Sequence, residues 1–346
     1  MSILAVTSPP PLPTTFPATA PTTAPSLNEQ LLATVLMVLV AAAIAGAVAR
    51  MAGVFRRRSI VGPPRFQPGE AAGRLFAITA LGAGVWLMTQ AIFGFVRAAA
   101  WQGQHPGQRF QASNLGDLDF AFLATVPALL GLVALIGGDA SAGGLGGRLG
   151  YRLSQFPRGL LVALLSLPIV LPLLWAGGAV LELIYRLIAY KHPTEHEMLG
   201  AMKAAPLHVR AILIFGATML VPVFEEFLFR GHLQTLLVRI FNPAPRRGEP
   251  LVLGSVGAAL SQLGGADDGP IPPPEDAPRR RFVWLAVVIT SILFSSLHPS
   301  WSAPLIFILS VCLGYVYERT GNLWAAVLIH ALFNASSTIA FLLTRS

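Results

Sequence analysis

The chain of 346 residues is 54% hydrophobic and only 12% charged, with a mean hydropathy of +0.65. Because soluble domains carry about a quarter charged residues, this composition excludes an ordinary soluble domain and indicates an integral membrane protein. The net charge of +8 comes almost entirely from arginine, and in a membrane protein such an excess marks cytoplasmic loops and not a nucleic-acid site.

The chain begins with a polar tail and continues with apolar spans. Residues 1–30 are rich in proline, threonine and alanine, with no basic region ahead of a short apolar core, and predict a disordered tail instead of a signal peptide. Crossing a hydrocarbon core takes roughly 20 apolar residues. Eight segments of suitable composition follow: 31–53, 73–97, 118–137, 158–190, 209–238, 282–298, 302–318 and 322–343. The predicted fold class is all-α, a polytopic helical bundle with about eight transmembrane helices.

The arginines set the predicted orientation of these spans. If Arg56 to Arg58 lie in the cytoplasm, alternation places the clusters at 148–158, 239–247 and 279–281 on the same side. Residues 192–208 then form an interfacial segment on the outer face, and 241–281, rich in proline, glycine and acidic residues, form a cytoplasmic insertion without a packed core. The expected organisation is a tail at 1–30, accessory helices over 31–204 and a core over 205–346.

The stretch LVPVFEEFLFRGH, residues 220–232, places three charges in a predicted span. Each such charge costs on the order of 2.5 to 3.5 kcal/mol on insertion scales, so the three need a reason. A helix turns about 100° per residue, which puts Glu226 and Arg230 on one face as an ion pair. Glu225 lies about 100° round the helix and is left free to act as a general base.

Two later spans carry polar pairs at the same four-residue spacing. FSSLH holds Phe294 and His298, and HALFN holds His330 and Asn334. Such side chains are costly in lipid unless they face the interior of the bundle. A glutamate with a histidine can deprotonate water, while a second histidine and an amide can donate hydrogen bonds to an oxyanion. This set suits peptide-bond hydrolysis inside a membrane.

The ordered patterns Glu-Glu-x-x-x-Arg, Phe-x-x-x-His and His-x-x-x-Asn resemble the CPBP family of intramembrane proteases, which includes type 2 CAAX prenyl proteases and proteins linked to bacteriocin self-immunity. The resemblance covers about residues 205–343. It implies that Glu225 and His298 activate the attacking water and that His330 and Asn334 stabilise the oxyanion. Glu226 and Arg230 would support this site. The implied substrates are membrane-associated or CAAX-like peptides in a lipid bilayer.

The cofactor is left open by the sequence. The family has also been described as metalloproteases, and Glu225, His298 and His330 would make a zinc site of the His₂Glu type. The metalloprotease motif His-Glu-x-x-His is absent, because HEMLG at 196–200 ends in glycine. The preference for arginine, with only two lysines, is compatible with a GC-rich bacterial genome and so with a location in a bacterial cytoplasmic membrane.

Two other functions compete with proteolysis. A transporter would use the same charges as a proton or substrate path, but it predicts a second polar-interrupted span in the N-terminal half. Only Glu182 and Arg186 occur there, and these predict an ion pair near the outer interface. The other alternative is a non-catalytic immunity or binding protein. His232 is predicted to be an interfacial anchor, with a proton relay as its alternative role.

The proposed site also raises a problem of depth. At about 1.5 Å per residue, Glu225 lies ~24 Å from the outer end of its span, whereas His298 lies ~24 Å from the inner end of its own. The two meet only if the sixth span starts below the membrane, or if tilt and a break at Pro299 bring His298 inward.

Overall fold

The computed structural model describes residues 72–111, 114–141, 149–193, 197–241 and 280–344, together with isolated helical positions between 32 and 47. Across these ranges the regular secondary structure is helical and no strand occurs, which confirms the all-α prediction. The helices are α1 (Ala72–Gln104), α2 (Asp117–Ser141), α3 (Phe156–Leu187), α4 (Glu197–Ala204), α5 (Leu207–Phe241), α6 (Arg280–Ser296), α7 (Ala303–Thr320) and α8 (Leu323–Thr344).

Most of these helices have the length and composition of membrane spans. Six described helices qualify, namely α1, α2, α3, α5, α7 and α8, while α6 is a shorter apolar helix of 17 residues. The predicted spans from residue 73 onward thus each coincide with a helix. The predicted tail at 1–30, nearly all of the insertion at 241–281 and, apart from isolated positions, the first span at 31–53 lie outside the described residues.

Helix α5 is not a regular α-helix. It alternates between α-helical turns and two π-helical segments, Gly216–Leu220 and Phe227–Gln234, with the α-helical turn Val221–Glu226 between them. In a π-helix the backbone bonds skip one extra residue, which redirects side chains, and such segments are frequent at functional sites. The two glutamates therefore end a short α-helical turn bounded on both sides by altered helical geometry.

The packing of α6 against α5 resolves the problem of depth. Val283 near the start of α6 clusters with Val238 near the end of α5, so the two helices are antiparallel. Further along, the Phe294 ring meets the Phe229 ring edge-on, with their centroids 5.1 Å apart. Because α6 ends at Ser296, just beyond this contact, the segment that follows it begins near the level of the two glutamates of α5.

The N-terminal and C-terminal halves meet at the turn before α3. The amide of Leu323 donates to the carbonyl of Gly150 at 3.0 Å, and the hydroxyl of Tyr317 donates to the carbonyl of Leu149 at 3.1 Å. Gly150 has a φ of +82°, and a Cβ there would lie 2.0 Å from the carbonyl oxygen of Gly321. Only glycine fits this close approach. The junction fixes α8, which carries His330 and Asn334, against the N-terminal helices.

Candidate active site

Glu226 and Arg230 form the buried ion pair that their spacing predicts. The Arg230 Nη1 donates to Glu226 Oε1 at 3.0 Å, and both side chains are 0% exposed. Arg230 Nη2 also donates to the hydroxyl and the carbonyl oxygens of Ser310 on α7, at 2.7 and 3.2 Å. A buried charge needs a partner and further hydrogen bonds, and this network supplies both while joining α5 to α7.

The Phe294 side chain is fully buried, and its ring contacts the guanidinium group of Arg230 and two imidazole rings. The Arg230 guanidinium lies over its ring, with Cζ 4.5 Å from the centroid. The rings of His298 and His330 contact the same phenyl group, with centroid distances of 4.9 and 5.8 Å. One aromatic ring on α6 thus gathers groups from α5, α8 and the segment after α6.

His330 lies between the two glutamates. Its Nδ1 is 2.9 Å from Glu226 Oε1, and its Nε2 is 3.8 Å from Glu225 Oε2. Since the Glu226 oxygen also accepts from Arg230, the carboxylate is the acceptor and Nδ1 carries the proton. The second ring nitrogen therefore faces Glu225. The sequence separated the two glutamates by their angle on the helix, but it did not predict that one imidazole would contact both.

His298 also lies at this site. Its Nδ1 donates to the carbonyl of Phe294 at 2.9 Å, which leaves Nε2 as the nitrogen that can meet other groups. Its ring contacts Phe294, whose phenyl group also contacts His330, the histidine that faces Glu225. His298 therefore lies near the level of the two glutamates and not at the opposite end of the span.

Asn334 has a backbone partner. One amide N–H donates to the carbonyl of Ala217 at 2.9 Å, within the first π-helical segment of α5. A carboxamide carries two N–H donors, so this bond uses one and leaves the other available. Asn334 thus holds α8 against an irregular part of α5, and its predicted role as an oxyanion donor remains a prediction.

The side chains do not form a metal-ligand set. The types of side chain would suit a metal, because both histidines donate Nδ1–H to an acceptor and leave Nε2 available, as histidine ligands of metals do. However, no group of three or more His, Cys, Asp or Glu side chains within the described residues is arranged to hold a metal ion. Glu225, His298 and His330, as they are placed, therefore do not fit the zinc site that the sequence left open.

The prediction of His232 as an interfacial anchor is wrong. The side chain is 1% exposed and its Nδ1 donates to the carbonyl of Phe227 at 2.8 Å. Its Nε2 faces Oδ1 of the equally buried Asp139 at 4.0 Å, and Asp139 Oδ2 accepts from the hydroxyl of Tyr151 at 2.6 Å. Burial and the neighbouring Asp139 raise the pKa of Tyr151. This second polar cluster joins α5 to α2 and to the turn before α3.

Sequence reasoning missed two other parts of the site. Ser310, which binds the Arg230 guanidinium, is a single small polar residue in an apolar span, and its only signal was that placement. The π-helical segments of α5 left no recognisable signal in the residues. By contrast, Phe294 belongs to the Phe-x-x-x-His pattern, but only the packing shows that its ring contacts Arg230 and both histidines.

A family model matches the part of the chain that carries the three motifs. Residues 206–336 match a family model described as type II CAAX prenyl endopeptidase Rce1-like. No curated protein and no solved structure gives a significant match to the chain. The matched segment contains α5, α6 and α7 and the part of α8 that carries His330 and Asn334. Residues 206–336 of this helical membrane protein are therefore similar to the type II CAAX prenyl endopeptidase Rce1-like family, which agrees with the CPBP resemblance of the motifs.

Proposed function

We propose that the protein is an intramembrane endopeptidase in which Glu225 activates a water molecule for attack on a peptide bond. The observation that carries the proposal is the position of His330, which is bonded to Glu226 and faces the Glu225 carboxylate at 3.8 Å. At 3.8 Å these two atoms are too far apart for a direct hydrogen bond, and a water molecule to one side of the line that joins them could bond to both. The Glu225 side chain is 12% exposed, so it is reachable.

The proposed reaction uses Glu225 as a base and then as an acid. Glu225, aided by His298, takes a proton from water, and the resulting hydroxide attacks the carbonyl carbon of the peptide bond. The tetrahedral intermediate carries an oxyanion, for which the free amide N–H of Asn334 and an Nε2–H of protonated His330 are the proposed donors. Glu225 then returns its proton to the leaving amine as the carbon–nitrogen bond breaks. The products are a carboxylate and an amine.

Glu226 and Arg230 act as supporting groups in this scheme. Glu226 fixes the tautomer and ring orientation of His330 through the 2.9 Å bond to Nδ1. The same bond keeps Nε2 of the ring turned towards Glu225. Arg230 holds Glu226 and is itself held by Ser310. The supporting shell therefore spans α5, α7 and α8, and it limits the movement of the imidazole.

The proposed substrates are peptide bonds of membrane-associated proteins, including CAAX-like tails, because the site lies within apolar helices and the matched family acts on such tails. The proposed location is a bacterial cytoplasmic membrane, on the grounds of the arginine-rich composition. Under the same proposal, residues 205–346 form the protease core and the preceding spans are accessory.

A cleavage assay in lipid vesicles tests the proposal. Purified protein is reconstituted with three substrates, namely a prenylated CAAX peptide, its unprenylated form and a single-span membrane peptide, and products are identified by mass spectrometry. We expect wild-type protein to cleave at least one of them. Glu225→Gln should lower the rate by roughly 10² to 10⁴-fold, which is the usual contribution of a general base.

The matched control is Asp119→Asn. Asp119 is another acid in a membrane helix and its side chain is 15% exposed, close to the value for Glu225, but it is paired with Arg97 at 2.7 Å. This variant should cleave at the wild-type rate. If folded Glu225→Gln protein cleaves as fast as wild type, the glutamate is not the base. If wild-type protein binds these peptides without cleaving any, a binding or immunity function replaces the protease.

A further inference from the structure

His298 stands in a short segment between two helices. Residues 297–302 join α6 to α7, and the bonds from the amides of Ser302 and Ala303 to the carbonyl of Pro299, at 2.9 and 3.0 Å, close the segment into a turn. Trp301 lies three residues after His298, on the far side of this turn. Whatever fixes Trp301 therefore also limits where His298 can move.

Two residues at and just after the C-terminal end of α3 contact Trp301. The hydroxyl of Tyr185 donates to the backbone carbonyl of Trp301 at 2.8 Å. The ring of His192 stacks on the Trp301 indole with centroids 5.5 Å apart and an interplanar angle of 12°. His192 is held in turn by Glu182, whose Oε2 lies 3.1 Å from Nε2, while Glu182 Oε1 accepts from Arg186. The predicted Glu182–Arg186 ion pair is thus confirmed, and it stands at one end of a longer chain of contacts.

We propose that Tyr185 and His192 are positioning residues that hold the 297–302 turn so that His298 is presented to Glu225. The inference rests on the proposed protease function. Both residues lie outside the segment 206–336 that matches the family model, so they add a component that the match does not contain. Neither needs to touch the substrate. They act through the Trp301 carbonyl and ring, and the closed turn carries the constraint to His298.

This arrangement gives α3, which precedes the matched segment, an indirect part in catalysis. Helix α3 runs from near the junction at Gly150 to the 297–302 turn, so it is fixed at one end to α8 and at the other to the segment that carries His298. A catalytic group displaced by about 1 Å can lose much of its effect, so a clamp of this kind affects turnover more than binding.

Tyr185→Phe tests the proposal, because it removes one hydroxyl and keeps the ring. Tyr190→Phe is the matched control, since Tyr190 meets Tyr185 ring to ring, at 4.9 Å between centroids, and phenylalanine preserves that contact. We expect kcat to fall roughly fivefold in Tyr185→Phe, as for the loss of one hydrogen bond, with KM unchanged and only a small fall in the unfolding temperature. Tyr190→Phe should match wild type. His192→Leu, which removes the stacked ring, should also lower kcat.

A second measurement does not depend on activity. In protein labelled with nitrogen-15 at histidine, wild-type His298 should show the Nδ1–H tautomer, and His298→Gln identifies its signal. In Tyr185→Phe this signal should shift or broaden, while that of His330 stays in place. An unchanged His298 signal together with an unchanged kcat overturns the positioning role even if Glu225→Gln is inactive. If wild-type protein cleaves nothing, the protease proposal fails, and the His298 signal alone still decides whether Tyr185 controls it.

Discussion

Two imidazole–carboxylate pairs lie along α5 and have nearly the same geometry. In one, His330 Nε2 faces Glu225 at 3.8 Å, and in the other His232 Nε2 faces Asp139 at 4.0 Å. In each histidine the Nδ1 donates to a fixed acceptor, which is the Glu226 carboxylate in the first pair and a backbone carbonyl in the second. The pairing of a histidine with an acid does not by itself make a site.

The surroundings of the two pairs differ. The Asp139 side chain is 1% exposed and its second oxygen is occupied by Tyr151 at 2.6 Å. The Glu225 side chain is 12% exposed, and its carboxylate makes no hydrogen bond to another described residue. His298 lies at the same site, against the Phe294 ring that His330 also contacts. A partly exposed carboxylate with two histidines nearby, such as Glu225, can take part in catalysis. A buried carboxylate that accepts a hydrogen bond from a tyrosine, such as Asp139, is better suited to stabilising the packing. The comparison predicts that changes in the first cluster affect cleavage and changes in the second affect stability.

The largest expected effect on stability comes from Arg230→Met. This change leaves Glu226 buried without its cation, and breaking a buried pair in this way costs about 3 to 5 kcal/mol. We expect a lower unfolding temperature in detergent, together with loss of cleavage because His330 loses its support. Arg186→Met is the control, since its pair with Glu182 is exposed and such pairs contribute about 0 to 1 kcal/mol.

The double variant Glu226→Gln with Arg230→Met sharpens this test. It removes both charges, so part of the stability should return, but cleavage should stay low because the acceptor for His330 is altered. Equal stability of Arg230→Met and wild type would mean that the pair does not hold the core together.

A smaller effect is expected from Tyr151→Phe. The change removes the hydroxyl that donates to the buried Asp139 carboxylate, and hydrogen bonds to charged groups contribute about 1.5 to 3 kcal/mol. The unfolding temperature should fall while the cleavage rate of the folded protein stays at the wild-type value. A loss of cleavage out of proportion to the loss of stability would contradict the division between the two clusters.

Alkaline pH gives an independent check on the same residue. Because the pKa of Tyr151 is raised in the folded protein, this group holds its proton after the unfolded chain has lost it. Its contribution to stability is therefore complete below about pH 10 and declines as the pH rises further. Tyr151→Phe should lack this alkaline decline, and a decline of the same size in both proteins would contradict the assignment.

Local periodicity was enough to predict some of these features. The pair of Glu226 and Arg230 depends on four-residue spacing within one helix, and the spans depend on runs of apolar residues, so both could be predicted from sequence. The contact of His330 with both glutamates depends on how α8 packs against α5, which no local pattern specifies. His232 was misplaced because neighbouring arginines indicated an interface, while its true partner, Asp139, lies on α2.

The apparent mismatch in depth has a similar origin. Counting residues assumed that each span fills the membrane from end to end, but α5 has 35 residues and α6 only 17. Their antiparallel packing sets the end of α6 beside the middle of α5, and this register could be read only from tertiary contacts such as that of Phe229 with Phe294.

Oxygen-isotope labelling under single-turnover conditions tests the central claim most directly, which is that a water molecule activated by Glu225 is the nucleophile. Enzyme in excess over a cleavable peptide is allowed to react once in water enriched in oxygen-18, and both the product and the peptide containing Glu225 are analysed by mass spectrometry. The account predicts one oxygen-18 atom in the new carboxylate of the product and none in Glu225. Label incorporated into Glu225, with an unlabelled product carboxylate, would show that the glutamate itself attacks the peptide and would contradict the account.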